Sequence, residues 1–324
     1  MTQEEMIVAK GLTKSYRSTR VLEQVDFTVR AGEIYALLRP NGAGKTTAIN
    51  ILTTLIKPDS GTATIAGIDL IAHPERVRAA LSLTGQNAAV DEFQTGQENL
   101  AMMARLAHLG GRARKLRVSE LLARFDLEAA STRRVATYSG GMRRRLDLAI
   151  SLVSAPPVVF LDEPTTGLDP RSRNQLWDVV RDLANDGTTI LLTTQYLEEA
   201  DQLADTIAVL DGGILVATGS PAQLKSRISG DHVELTFDDA TSYTRASALA
   251  FGAHARLDGE RQSLVVPTTN SVETIREILA LTNEHNLLVS NISVIKPTLD
   301  DVFLSLTGRA ARPNDSTTQQ EAAA

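Results

Sequence analysis

The chain has 324 residues, enough for one large domain plus a small one, and 43% apolar residues, enough for a sizeable core. A net charge of -6 and 4% aromatic residues argue against a nucleic-acid surface, which needs positive excess and stacking rings. The absence of cysteine excludes a disulfide framework and thiolate metal sites and fits a reducing compartment.

Residues 1–10 hold two adjacent acids and no signal-like apolar run, and no stretch nears the ~20 apolar residues that span a bilayer. From residue 6 to about 215, β-rich runs alternate with helical stretches, which predicts an α/β sheet. Strands are expected at 7–9, 25–29, 34–38, 81–84, 158–161, 189–193 and 207–210. The third runs into Arg39, Pro40, Asn41, Gly42, Ala43, Gly44, Lys45, Thr46 and Thr47, followed by a helical run over 48–55. A strand, a glycine-rich turn closing on Gly-Lys-Thr and a helix make a phosphate-binding loop. Backbone N–H groups at the helix start face the anion, Lys45 supplies a cation for the β- and γ-phosphates, and the Thr46 hydroxyl ligates Mg²⁺. The pattern expects glycine at 39, and Arg39 stands there instead. Two consequences are open: an outward-pointing side chain that leaves ATP binding intact, or a strain of ~1–2 kcal/mol, if φ is positive, that impairs it.

The stretch 97–136 reads as mostly helical, with Leu100, Met103 and Leu106 on one face and Arg112, Arg114, Lys115 and Arg117 as a solvated one. It interrupts the sheet pattern as a helical subdomain. Tyr138-Ser139-Gly140-Gly141-Met142 then opens a helix over 143–152, a second anion site made of an N-cap hydroxyl and exposed amides. Two such sites close on one triphosphate most simply when two copies sandwich it. The apolar run 158–161 ends in Asp162-Glu163, at the carboxyl end of a buried parallel strand where such sheets bind ligands. Asp162 suits the Mg²⁺ shell, and Glu163 suits a base that takes a proton from an attacking water.

Composition changes after Gly230. Val233, Leu235 and Phe237 alternate, 264–266 is strand-like, Val272, Ile275, Ile278 and Leu279 recur at helical spacing, and 287–294 reads as a strand. The order strand-helix-strand-strand-helix-strand predicts a small α+β module. A closing helix is expected over 298–306, burying Leu299, Val302, Phe303 and Leu306. The tail 309–324 lacks apolar periodicity and is expected to be disordered.

The phosphate loop, Ser-Gly-Gly, Asp-Glu after four apolar residues, and Gly167-Leu168-Asp169 follow one another in the order of ABC ATPase cassettes, which residues 5–225 resemble. The resemblance implies an α/β cassette with a RecA-like core, an antiparallel β-subdomain and a helical subdomain at about 95–150. It implies a cassette over 5–230 and an accessory α+β domain over 231–308. It further implies a head-to-tail homodimer in which Ser139, Gly140 and Gly141 of one copy contact the ATP γ-phosphate held by the other, with Asp169 linking the two sites. Tyr16 is similar to the ring that stacks on adenine, and Gln86 to the glutamine that touches Mg²⁺ and senses a membrane partner. Cofactors implied are ATP and Mg²⁺.

Three departures narrow the family. The signature begins with Tyr138 rather than Leu and ends in Met142 rather than Gln, and Gln195 stands where a histidine usually contacts the γ-phosphate. Glutamine can hydrogen-bond phosphate but cannot relay a proton as imidazole does, so Glu163 carries more of the base role. With 169–174, 193–201 and 297–304, these segments resemble the daunorubicin/doxorubicin-resistance ATP-binding subunits, a resemblance that reaches about Gly308. It implies a peripheral protein on the inner face of the cell membrane, a separate transmembrane permease, no nucleic-acid partner, and a drug that reaches the permease rather than this chain. The alternatives are a soluble ABC ATPase acting on nucleic acid or ribosomes, and an ATP-gated regulatory subunit with weak hydrolysis.

Overall fold

The computed structural model describes residues 4–38, 45–85, 90–227, 231–249, 255–268 and 270–307. The sites expected at Arg39, Pro40, Asn41, Gly42, Ala43, Gly44 and Gln86, and the tail 309–324, lie outside the described residues. The chain divides into two compact units, Met1–Pro221 and Ala222–Ala324.

The first unit begins with β1 (Glu5–Tyr16), β2 (Thr19–Arg30), β3 (Ile34–Leu38) and α1 (Lys45–Leu52). Next come β4 (Ser60–Ile65), β5 (Ile68–Asp69), α2 (Pro74–Ala79) and β6 (Leu81–Thr84). A helical stretch follows: α3 (Gly96–Leu106), α4 (Gly111–Arg124) and α5 (Gly140–Ser151). Then β7 (Val158–Asp162), α6 (Pro170–Asn185), β8 (Thr189–Thr194), α7 (Leu197–Leu203), β9 (Thr206–Asp211) and β10 (Ile214–Gly219) complete it, with α8 (Pro221–Lys225) at the boundary.

The core sheet has the order β10-β9-β3-β8-β7-β6. Its strands β9, β3, β8, β7 and β6 run parallel, and β10 returns antiparallel along β9. Every residue of β3, β7 and β8 is buried, which is why these strands read as continuous rather than alternating runs. A second sheet, β2-β1-β4-β5, is antiparallel. In β2, Val25, Phe27 and Val29 point inward between exposed neighbours, the period of a half-buried strand. The first strand extends well past the expected 7–9 because Gly11, with φ 60°, absorbs an irregularity between Ala9 and Leu12 and lets pairing resume. At the crossing of β1 and β4, a Cβ on Gly61 would sit 2.3 Å from the Gly11 carbonyl oxygen, so the backbones approach this closely only through glycine.

In the helical stretch the expected stripe needs correction. Leu100 is fully buried and Ala104 buries with it, whereas Leu106 is 66% exposed. Six residues turn an α-helix by about 240° from the starting face, so Leu100 and Leu106 cannot share one. The α3 start is fixed by a capping box: the Glu98 amide donates to the Thr95 hydroxyl, and Thr95 donates back to the Glu98 carboxylate.

The second unit comprises β11 (Asp231–Phe237), α9 (Ala240–Ser247), β12 (Arg256–Asp258), β13 (Ser263–Thr268), α10 (Ser271–Glu284), β14 (Val289–Ile295) and α11 (Leu299–Thr307). The sheet order β12-β13-β11-β14, all pairs antiparallel, is that of a ferredoxin-like βαββαβ fold. Its core joins Val233, Leu235, Phe237, Leu264, Val266 and Ile278. Val272 and Leu279 are exposed, so the buried stripe of α10 is narrower than expected. In α11, Leu299, Val302 and Phe303 are buried as expected, and Leu306 is exposed.

Candidate active site

The parallel register brings one end of the core sheet together: Leu38 of β3 lies beside Thr194 of β8, Asp162 of β7 beside Thr193, and Thr84 of β6 beside Leu161. This carboxyl edge is where an open α/β sheet receives a ligand. Lys45, the first residue of α1, places its Nζ 3.1 Å from Oε1 of Glu163, and the two side chains are only 7% and 13% exposed. Each charge is thereby held in partial shelter from water by the other, and an anion arriving at the α1 N-terminus would compete with Glu163 for the ammonium. Thr46 is exposed beside it, while Thr47 turns into the core.

Asp162 closes β7 with Oδ1 accepting from the Thr193 hydroxyl. Glu163 then leaves the strand with φ 48°, a left-handed conformation that costs a non-glycine residue ~1–2 kcal/mol. The sheet holds it there, because the Glu163 amide donates to the Thr193 carbonyl at 2.9 Å. Among the described residues no three His, Cys, Asp or Glu side chains gather as a metal cage. A buried aspartate and an exposed threonine hydroxyl are hard oxygen donors, the small protein contribution that Mg²⁺ accepts when water and phosphate complete its shell. The residues present therefore suit Mg²⁺.

A second group lies at the starts of α5 and α6. Ser139 caps α5, its hydroxyl accepting from the Met142 amide at 3.2 Å. Asp169 caps α6, accepting from the Ser172 amide at 3.0 Å and the Ser172 hydroxyl at 2.6 Å. The Ser172 hydroxyl, then its amide, hold the Asp169 carboxyl below the usual carboxylate range. A Cβ on Gly141 would meet the Ser172 oxygen at 2.4 Å, so glycine there lets the two helix starts pack together, whereas Gly140 faces open space. Tyr138 is buried and donates to the Ala130 carbonyl at 2.7 Å, which satisfies the hydroxyl that a leucine would not bring.

Tyr16 ends β1 with 47% of its surface exposed and the Lys14 ammonium 5.9 Å from its ring centroid. Gln195 follows β8 on a half-buried turn, where the Tyr196 amide donates to the Thr194 hydroxyl at 3.0 Å.

Two buried charges at this edge are absent from the sequence expectations. Arg144 of α5 is 8% exposed and donates to the carbonyls of Pro164 (2.7 Å) and Gly85 (2.6 Å). Burial lowers its pKa, opposed by the charges of Asp147, Glu199 and Asp162. Glu199 of α7 is fully buried and accepts from the Trp177 indole at 3.1 Å. Burial pushes its carboxyl up, opposed by the nearby Thr194 and Thr165 hydroxyls and the Trp177 indole. The signal for Arg144 was its apolar context, since Leu146 and Leu148 bury on the same helix. Flanked by Arg143 and Arg145, it reads instead as part of a solvated run.

A family profile described as ABC transporter matches residues 22–166. The chain is 47% identical over 318 residues to a daunorubicin resistance ATP-binding protein of Streptomyces coeruleorubidus, covering 97% of this chain and 98% of that one. To the daunorubicin/doxorubicin resistance ATP-binding protein of Streptomyces peucetius it is 47% identical over 320 residues, covering 98% and 96%. It also matches, with a TM-score of 0.59 and 25% identity over 66% of this chain and 98% of the other, a dimeric ATP-binding cassette in a post-hydrolysis state bound to ADP and Pi.

Proposed function

This chain belongs to the ABC transporter family as an ATP-binding subunit, and we propose that it energises export of anthracycline-like antibiotics through a separate transmembrane permease. The drug would reach the permease, and this chain would work at its inner face as a head-to-tail homodimer. No described helix is long and apolar enough to cross a membrane. The soluble alternative acting on nucleic acid is disfavoured by the net charge of -6.

The observation that carries the site reading is the sheltered Lys45–Glu163 ion pair at the carboxyl edge. In this reading the ATP phosphates take Lys45, and Glu163 is released to face the attacking water. Its carboxylate accepts the proton as the water oxygen bonds to the γ-phosphorus and the bond to the β-phosphate oxygen breaks, giving ADP and phosphate. Thr46 and Asp162, with Gln86, would hold Mg²⁺, which when bound neutralises charge on the β- and γ-phosphates. Gln195 would donate to the γ-phosphate without taking a proton, and Tyr16 would stack on adenine. Ser139, Gly140 and Gly141 of the second copy would complete the γ-phosphate cradle, with Asp169 between the two sites. Glu163→Gln in the full chain tests the assignment: steady-state hydrolysis should fall by about 10²-fold or more. Hydrolysis at the parental rate would remove Glu163 from the base role.

A further inference from the structure

The cluster around Arg144 reaches farther than a helix-stabilising arginine needs to. Its guanidinium donates to four backbone carbonyls: Pro164 at 2.7 Å, Gly85 at 2.6 Å, Asp162 at 3.3 Å and Glu163 at 3.5 Å. A fifth contact, to the Asp147 carboxylate at 3.3 Å, comes from its own helix. Its neighbours are spent otherwise: Arg143 pairs with Glu92 at 2.8 Å, and Arg145 reaches the Phe125 carbonyl at 2.9 Å and Asp126 at 3.2 Å. Only the middle arginine turns into the site.

The acceptors belong to separate segments with one thing in common. Asp162, Glu163 and Pro164 form the turn that carries the metal carboxylate and the base, in which Glu163 sits at φ 48°. Gly85 is the residue before Gln86, at the end of β6. Arg144 itself lies on α5, whose N-cap is Ser139. A planar guanidinium can bridge carbonyls on several segments at once, which a lysine ammonium, a single point of charge, cannot reproduce.

The geometry points to Arg144 as a positioning residue for hydrolysis, a clamp that holds the Glu163 turn and the lead-in to Gln86 against the helix bearing the Ser139 signature. The signature grips nucleotide held by a second copy, and the clamp ties that grip to the placement of the base in its own chain. The inference rests on the reading of Glu163 as the base. It assigns Arg144 no contact with ATP.

The test uses the full-length chain with MgATP, comparing Arg144→Lys, Arg144→Gln and Arg144→Ala with the parent and with Glu163→Gln. A misplaced base should lower kcat by about ten-fold or more in all three Arg144 variants while KM stays within about two-fold. Added guanidinium ion should restore part of kcat in Arg144→Ala at unchanged Tm, and amide hydrogen exchange at Glu163 should quicken in each variant. Two results would overturn the clamp. One is parental kcat in Arg144→Gln. The other is a loss that Arg144→Lys fully repairs, or that follows Tm without guanidinium rescue, which would leave only a charge partner or a packing role. Failure of the base reading is separate: it shows as hydrolysis surviving Glu163→Gln, whatever Arg144 does.

Discussion

Among the described residues of the first unit, five side chains of charged type are buried, Lys45, Arg144, Asp147, Asp162 and Glu199, whereas the buried polar groups of the second are all hydroxyls: Ser242, Ser263, Thr268 and Thr282. The two sheets differ in the same sense. In the first, parallel strands end together and deliver Lys45, Asp162, Glu163 and Thr193 to one edge. In the second, antiparallel strands alternate, and the inward set of Val233, Leu235 and Phe237 joins an apolar cluster with Leu264, Val266 and Ile278. Burying charge is costly unless it is paired, so a fold keeps it where chemistry needs it. The contrast supports the proposed hydrolysis site in the first unit and leaves the second held together by ordinary packing.

The comparison can be strained from either side. Lys45→Ala strands the Glu163 carboxylate, and removing one partner of a buried pair costs about 3–5 kcal/mol; with 13% exposure at Glu163 the lower end is expected, read as a drop in Tm together with lost MgATP affinity. Leu235→Ala, fully buried in the second core, should destabilise that unit by about 2–5 kcal/mol in denaturant unfolding while MgATP affinity is retained. A matching loss of MgATP affinity would break the division of labour.

Glu199 gives a smaller effect with a definite sign. Burial raises its folded pKa above the ordinary value of 4.5, so its contribution to stability is fully present below that pH and is lost as pH rises toward the folded value. Glu199→Gln keeps an acceptor for the Trp177 indole and removes the titration. The difference in Tm between variant and parent should grow in favour of the variant as pH rises from about 4.5; a difference independent of pH would contradict the buried-charge account. Smallest is Asp239→Ala in the second unit. It removes the half-buried cap that accepts from the Ser242 amide at 2.7 Å, and it should lower Tm by less than Leu235→Ala does.

How far the sequence reads depends on how each residue's role is written in it. The strands β3, β6, β7 and β8 were legible because buried parallel strands are short apolar runs bounded by turns. The strands β4, β5 and β10 were not, since Ser60, Gly61 and Thr62 open β4 with little apolar pattern and β5 is only two residues long. Lys45, Asp162, Glu163 and Ser139 lie in local motifs, where spacing along the chain carries the chemistry proposed for them. Arg144 and Glu199 do not, because their partners at Gly85, Pro164 and Trp177 lie far off in sequence and only the folded sheet brings them near. Leu106 misled for a geometric reason, since its helical spacing from Leu100 falls on another face.

The central claim is that Glu163 and the ATP phosphates compete for Lys45. Equilibrium titration of MgATP into the full chain and into Glu163→Gln measures this competition without requiring turnover. The account predicts that Glu163→Gln binds MgATP at least as tightly as the parent, because the ammonium is no longer held by a carboxylate 3.1 Å away. Weaker binding by Glu163→Gln would contradict it.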